Sequence, residues 1–210
     1  AQTIDSLYVS MWADAEIGNA GDDYIGTDTL NSMAYIYNDS NEDAAYGVAP
    51  PAWGVQLLQG LIVDGDTLGM TSSGRHFGGG PIGQGDPGGA EEYYNYMQGL
   101  WGDGTLYYEW SNMYEQSGRA VTTFMYAGDP VSKSFFSEVN NDGNGQPSAH
   151  GDRRMVVSTG PFRLGPDSTA TLFYAFPFGQ GSDYLNSVAV MRGYATALQS
   201  IHAAGGFASR

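Results

Sequence analysis

Residues 6–38 read SLYVSMWADAEIGNAGDDYIGTDTLNSMAYIYN, and this stretch decides the fold class. From Ser6 to Ala13 the positions alternate, with Leu7, Val9 and Met11 on one side and Tyr8, Ser10 and Trp12 on the other, which is the period of a half-buried strand. The alternation returns from Thr29 to Asn38, with Leu30, Ser32, Ala34 and Ile36 set against Asn31, Met33, Tyr35 and Tyr37. Between the two strands runs an acidic loop, WADAEIGNAGDDYIGTDT (12–29), where Asp14, Glu16, Asp22, Asp23 and Asp28 crowd among Gly18, Gly21 and Gly26.

Carboxylates packed this densely repel one another unless a cation or solvent screens them. Calcium is the expected cation, because it takes about six to eight oxygens and the glycines let the chain fold those oxygens inward. The expected ligands are Asp14, Glu16, Asp22, Asp23 and Asp28. Their spacing is not that of an EF-hand, and the competing reading is a solvated loop whose aspartates make turns.

Working outward, Pro50 and Pro51 open an extended segment that continues through Trp53, Val55 and Leu57 to Val63 and turns at VDGD (63–66). The glycine-rich stretch 68–89, LGMTSSGRHFGGGPIGQGDPGG, has the composition of a linker. Ala90 to Leu100 is a helix by spacing, with Glu91 and Glu92 in its first turn and Tyr94, Met97 and Leu100 on one face. Thr105–Trp110 and Ala120–Tyr126 read as strands, and Arg154–Ser158 and Thr169–Phe176 as a strand pair around GPFRLGPDS. Ser182 should cap an amphipathic helix from Asp183 to Ala203, carrying Leu185, Val188, Met191, Ala195, Leu198 and Ile201. The expectation is a mainly β protein: an antiparallel β-sandwich, jelly-roll or Ig-like, with long loops and one or two helices, the last of them C-terminal. One domain covers 1–210, either alone or as one module of a longer secreted protein.

Charge and composition narrow the function classes. A formal charge of −15, from 23 acids and 8 bases, leaves no basic stripe for nucleic acid. No apolar run approaches the ~20 residues of a membrane-spanning helix, so no membrane insertion is expected. The start, AQTIDSLYVS, has neither a charged n-region nor an apolar h-region, so any signal peptide is expected to lie outside these residues. Cysteine is absent, which removes disulfides and thiolate chemistry. Many glycines and tyrosines with a single lysine, Lys133, suit an extracellular β-rich protein.

The order of short motifs resembles a known module. D-x-(D/E)-I-G and DD-x-x-G-x-DT (14–29), M-x-Y-x-YN (33–38), APP-x-x-G (49–54), LGMTS (68–72), YNYMQGL (94–100), GDP (128–130), GDRR (151–154), STGPF (158–162) and GQGSD (179–183) are similar to a domain of large secreted proteins of the Bacteroidota and neighbouring phyla. Those proteins commonly leave through the type IX secretion system. The resemblance implies an extracellular or cell-surface location in a Gram-negative bacterium and assigns no catalytic activity. This chain departs from the pattern at Thr27, where relatives often carry cysteine.

No nucleophile elbow, zinc-protease helix, phosphate loop or dinucleotide fingerprint occurs in the chain. Two non-enzymatic readings follow. The first is a structural or assembly module, a surface protein or fibre subunit braced by calcium, which associates with itself or with other extracellular surface components. The second is a carbohydrate-binding or adhesion module in which Trp53, Trp101 and Trp110, with Tyr93, Tyr107 and Tyr108, stack on a glycan. A glycan-active hydrolase built on Glu91 and Glu92 ranks below both, because acids at a helix start suit the helix dipole.

Overall fold

In the computed structural model, which describes residues 2–63, 66–77 and 83–207, two antiparallel sheets pack face to face with a helix laid on each outer surface. The strands that build them are β1 (Ile4–Asp14), β2 (Asp23–Asp28), β3 (Met33–Asn38), β4 (Ala52–Gln59), β5 (Ser72–Phe77), β6 (Arg153–Leu164), β7 (Phe173–Ala175) and β8 (Phe178–Gly179). The helices are α1 (Ala90–Met97) and α2 (Tyr184–Ala203). The first sheet has the order β1-β6-β5, and the second has β7-β4-β3-β2, with β8 also paired to β4.

The period-two alternation divides the second sheet between two cores. In the second sheet Ile25, Ala34, Ile36, Val55 and Leu57 face the first sheet, where Met155 and Val157 meet them, and Met11 and Ala13 of β1 pack beside those two. On the opposite face Tyr24, Met33, Tyr35, Tyr37 and Ala52 bury against Val188, Met191 and Ala195 of α2. Gly26 is required here, since a Cβ at that position would stand 2.5 Å from the Tyr35 hydroxyl. Helix α1 covers the outer face of the first sheet, with Tyr94 edge-on to Tyr8 and Tyr96 beside His76. The expected sandwich, long loops and C-terminal helix are therefore all present.

Several boundaries and pairings differ from the sequence expectation. Residues 23–28, read as part of the acidic loop, form β2, because Tyr24, Ile25 and Thr27 each find a buried partner across β3 or the loop around 126. The stretch 68–89 is no linker over its first half: Ser72–Phe77 is β5, a six-residue strand on β6 whose buried members include Arg75 and His76. The glycines at 78–80 and the centre of the VDGD turn (64–65) lie outside the described residues. The strand from Trp53 ends at Gln59, and Ile62–Val63 pairs instead with Asp66–Thr67 in a separate short ladder.

Arg154–Ser158 and Thr169–Phe176 do not pair with each other. The first belongs to β6, held between β1 and β5, and the second contributes β7 to β4 in the other sheet, so the chain crosses between sheets after Leu164. The strands expected at 105–110 and 120–126 reduce to Tyr107–Tyr108 against Val121–Thr122. Helix α1 stops at Met97 and buries Tyr96 where Tyr94 was expected. The cap of α2 is Asp183, whose carboxylate accepts from Leu185 N at 3.0 Å and Asn186 N at 2.8 Å, one residue after the expected Ser182.

Candidate functional site

The acidic segment closes one end of the sandwich, and tracing it shows which of its carboxylates meet. Strand β1 delivers Asp14 to the surface, where Arg154 of β6, its register partner, places Nε 3.0 Å from Asp14 Oδ1. Arg154 also reaches Asp86 at 3.5 Å and Asp152 at 3.5 Å. Ala15 and Ile17 then dip into the core while Glu16 stays exposed. Gly18 takes φ +73°, and a Cβ there would sit on the Asp43 carboxylate, which accepts from Asn19 N, Ala45 N and Tyr46 N. Asn19 caps the 3-10 turn Ala20–Asp22, and β2 begins at Asp23. Asp28, at the far end of β2, accepts from Leu30 N and Asn31 N and lies 3.5 Å from Arg192 of α2.

The five expected calcium ligands are thus divided. Asp14 and Asp28 each face an arginine at opposite ends of the segment, while Asp23 follows Asp22 directly and feels its field together with those of Asp43 and Glu16. Among the described residues no three His, Asp or Glu side chains form a group able to hold a metal. Asp23 is fully buried; its Oδ2 accepts from Ile17 N at 3.1 Å, and Oδ1 has no partner among the described residues. Burial, reinforced by the nearby charges of Asp22, Asp43 and Glu16, pushes its carboxyl up to about 7.

Next to this end lies a buried ionic centre. Glu138, fully buried in the long loop after Met125, accepts from Ile25 N at 2.6 Å, from Arg153 Nη2 at 2.9 Å and from Arg75 Nη1 at 3.3 Å. Arg153 also donates to Ala149 O, and the Arg75 guanidinium lies 4.9 Å over the Tyr126 ring. A cavity of about 350 Å³ opens from these two arginines past Asn112, Tyr114 and His150. Arg192 makes a similar knot between Asp28, Asp129 and the Tyr35 hydroxyl. His76 is fully buried: Trp12 Nε1 donates to its Nε2 at 2.6 Å, Asp86 lies 3.0 Å from Nδ1, and desolvation holds its pKa below the ordinary histidine range.

The aromatic residues named for glycan stacking do not form one platform. Trp101 is buried, stacked on Tyr114 and edge-on to Tyr107, itself fully buried. Trp110 is half-buried, edge-on to Phe135 with Arg119 above its ring, and Trp53 packs against the inter-sheet core. Tyr93 is exposed, and Tyr108 is half-buried. Glu91 and Glu92 sit in the first turn of α1, where Glu92 accepts from Gly88 N at 2.9 Å.

Sequence reasoning gave Glu138, Arg75 and His76 no structural role, and read Asn38 only as the end of a strand and part of a polar stretch. Glu138 and Arg75 sit in stretches that read as polar loops, and the only available signal was a charged residue among apolar neighbours, as in FFSEV (135–139). Asn38 ends an otherwise apolar strand, an unusual place for an amide. Comparison of the chain with family models, with characterised proteins and with solved structures found no match.

Proposed function

We propose that the chain is a non-catalytic structural module of a secreted or cell-surface protein, of the kind exported by the type IX system, and that it assembles with a second copy through β1. The observation that carries this reading is the open edge of that strand. β1 runs for eleven residues beside β6, and among the described residues its other edge from Leu7 to Asp14 has no backbone partner. An edge of this length is a template for another strand. Register breaks between Ile4 and Val9 guard its first half, whereas Val9–Asp14 is regular. Antiparallel pairing of this stretch with itself is isologous and closes as a dimer.

Buried ion pairs supply the stiffness such a module needs. Glu138 fastens the loop after Met125 to β5 and β6, and Arg192 fastens α2 to the turns at Asp28 and Asp129. Sedimentation of the chain over a rising concentration series tests the assembly. The expected result is a reversible dimer, strengthened by salt because the charge of −15 is then screened, and dissociated by a peptide of residues 7–14. A monomer at every concentration in both low and high salt rejects it.

One cleft favours the carbohydrate reading as second. A polar depression of about 670 Å³ is lined by Tyr24, Asp39, Lys133, Gln146, His150 and Tyr184. Two tyrosines among amide and charged groups suit a sugar. A glycan array positive for the wild type and negative for Tyr184→Ala would place this reading first.

A further inference from the structure

Three side-chain oxygens at the closed end of the sandwich share one property: Asp22 Oδ1, Asp23 Oδ1 and Asn38 Oδ1 are all buried acceptors with no hydrogen-bond partner among the described residues. They are also neighbours. Asp23 stands directly across the ladder from Asn38, so the side chains of these two share one face of the sheet, and Asp22 precedes Asp23 in the turn that leads into the strand. The next ladder contact, Asp39 N to Asp22 O at 2.8 Å, holds Asp22 against the same strand.

The orientation of Asn38 is set by its other branch. Nδ2 donates to Ser40 O and Glu42 O, both at 3.2 Å, and a flipped amide would point an oxygen at those two carbonyls. Oδ1 is therefore held on the opposite branch. Asn38 is fully buried and uncharged, so its orphaned oxygen is independent of the crowding of acids around it. With Asp23 ionised, none of the three oxygens can donate to another, and leaving each unmade costs free energy. What such a set lacks is a positive centre.

We propose a calcium site built from Asp22 Oδ1, Asp23 Oδ1 and Asn38 Oδ1, with Glu16 and Asp43 supplying further negative field. Two carboxylates and an amide are hard oxygen donors, the chemistry that calcium selects over thiolate- or imidazole-preferring metals. Asp43 is already occupied by three backbone donors, Asn19 N, Ala45 N and Tyr46 N, and is assigned the field alone. Asp14 and Asp28 are not members, since each is committed to an arginine. The site stands apart from the assembly reading, because a monomer can carry it and a dimer can lack it.

The test is calorimetric titration of chelator-stripped chain with calcium chloride, backed by terbium luminescence sensitised through Tyr24 and Tyr37, whose rings lie 5.8 Å apart one residue from the site. Wild type should bind one calcium per chain. Asp23→Asn and Asn38→Leu should each weaken it at least about tenfold, while Asp14→Asn and Asp28→Asn leave it unchanged. Absence of calcium heat and of terbium luminescence in wild type overturns the proposal. So does undiminished binding by Asp23→Asn, an isosteric change that should still fold.

Discussion

Replacing Asp23 by asparagine should stabilise the metal-free chain at alkaline pH while removing any stabilisation by calcium. In the free chain a buried carboxyl displaced from 3.8 to about 7 favours folding fully only below pH 3.8, and that contribution is lost as pH rises to about 7. At roughly 1.4 kcal/mol per pH unit, three units of displacement cost about 4 kcal/mol at pH 8. Asparagine carries no charge to bury. Its Oδ1 can still accept from Ile17 N, and its amide can donate towards Asn38 Oδ1, so the variant should be the more stable protein in chelator at pH 8 by several kcal/mol. At pH 4 the two should converge. Calcium at one hundred times its dissociation constant should then add about 2.7 kcal/mol to wild type and nothing to the variant. Urea unfolding followed by tryptophan fluorescence, at pH 4 and 8 with chelator or calcium, measures all four states. If Asp23→Asn is the less stable protein in chelator at pH 8, the account of an uncompensated buried acceptor is refuted.

Four other perturbations test the frame. Glu138→Gln removes the charge faced by Arg75 and Arg153 and should cost about 3–5 kcal/mol in chemical denaturation, with less than 1 kcal/mol arguing that the centre is not structural. Histidine 76, held below its unfolded value near 6.5, loses stability as pH falls through that value, because the unfolded chain takes up the proton first. In an Asp23→Asn background wild-type His76 should therefore show acid loss below about pH 6.5 that His76→Gln lacks, as read by pH-dependent melting. Gly26→Ala drives a methyl against the Tyr35 ring and should cost about 1–3 kcal/mol, measured by melting temperature. Asp183→Ala leaves Leu185 N and Asn186 N without their cap and should cost about 1 kcal/mol with a frayed α2 by circular dichroism.

The strand faces were legible in the sequence because a two-residue period survives any tertiary arrangement. Met11 was separated from Tyr8, Ser10 and Trp12, and Ala34 and Ile36 from Met33, Tyr35 and Tyr37, as the two cores require, although a register break between Leu7 and Val9 interrupts the period at the start of β1. Pairing was not legible, since nothing local in Arg154–Ser158 says that its neighbours are β1 and β5, and a hairpin with the next strand is the natural local guess. Nor was β5, because Ser72–Phe77 has little apolar content and owes its burial to the ions and rings that surround Arg75 and His76.

The same distinction explains the acidic segment. Composition located the charge, but charge alone does not say which carboxylates are answered. Arg154 and Arg192, distant in sequence, answer Asp14 and Asp28, and the glycine turn at Gly18 lets Asp43 be answered by three backbone N–H groups. What remains is set by β2 pairing with β3, which brings Asp23 opposite Asn38. The amide at the end of MAYIYN, unusual as it is there, does not by itself say what it faces. Only register sets it across from Asp23, and so the buried oxygen on which the proposed cation site depends is placed by strand pairing rather than by local composition.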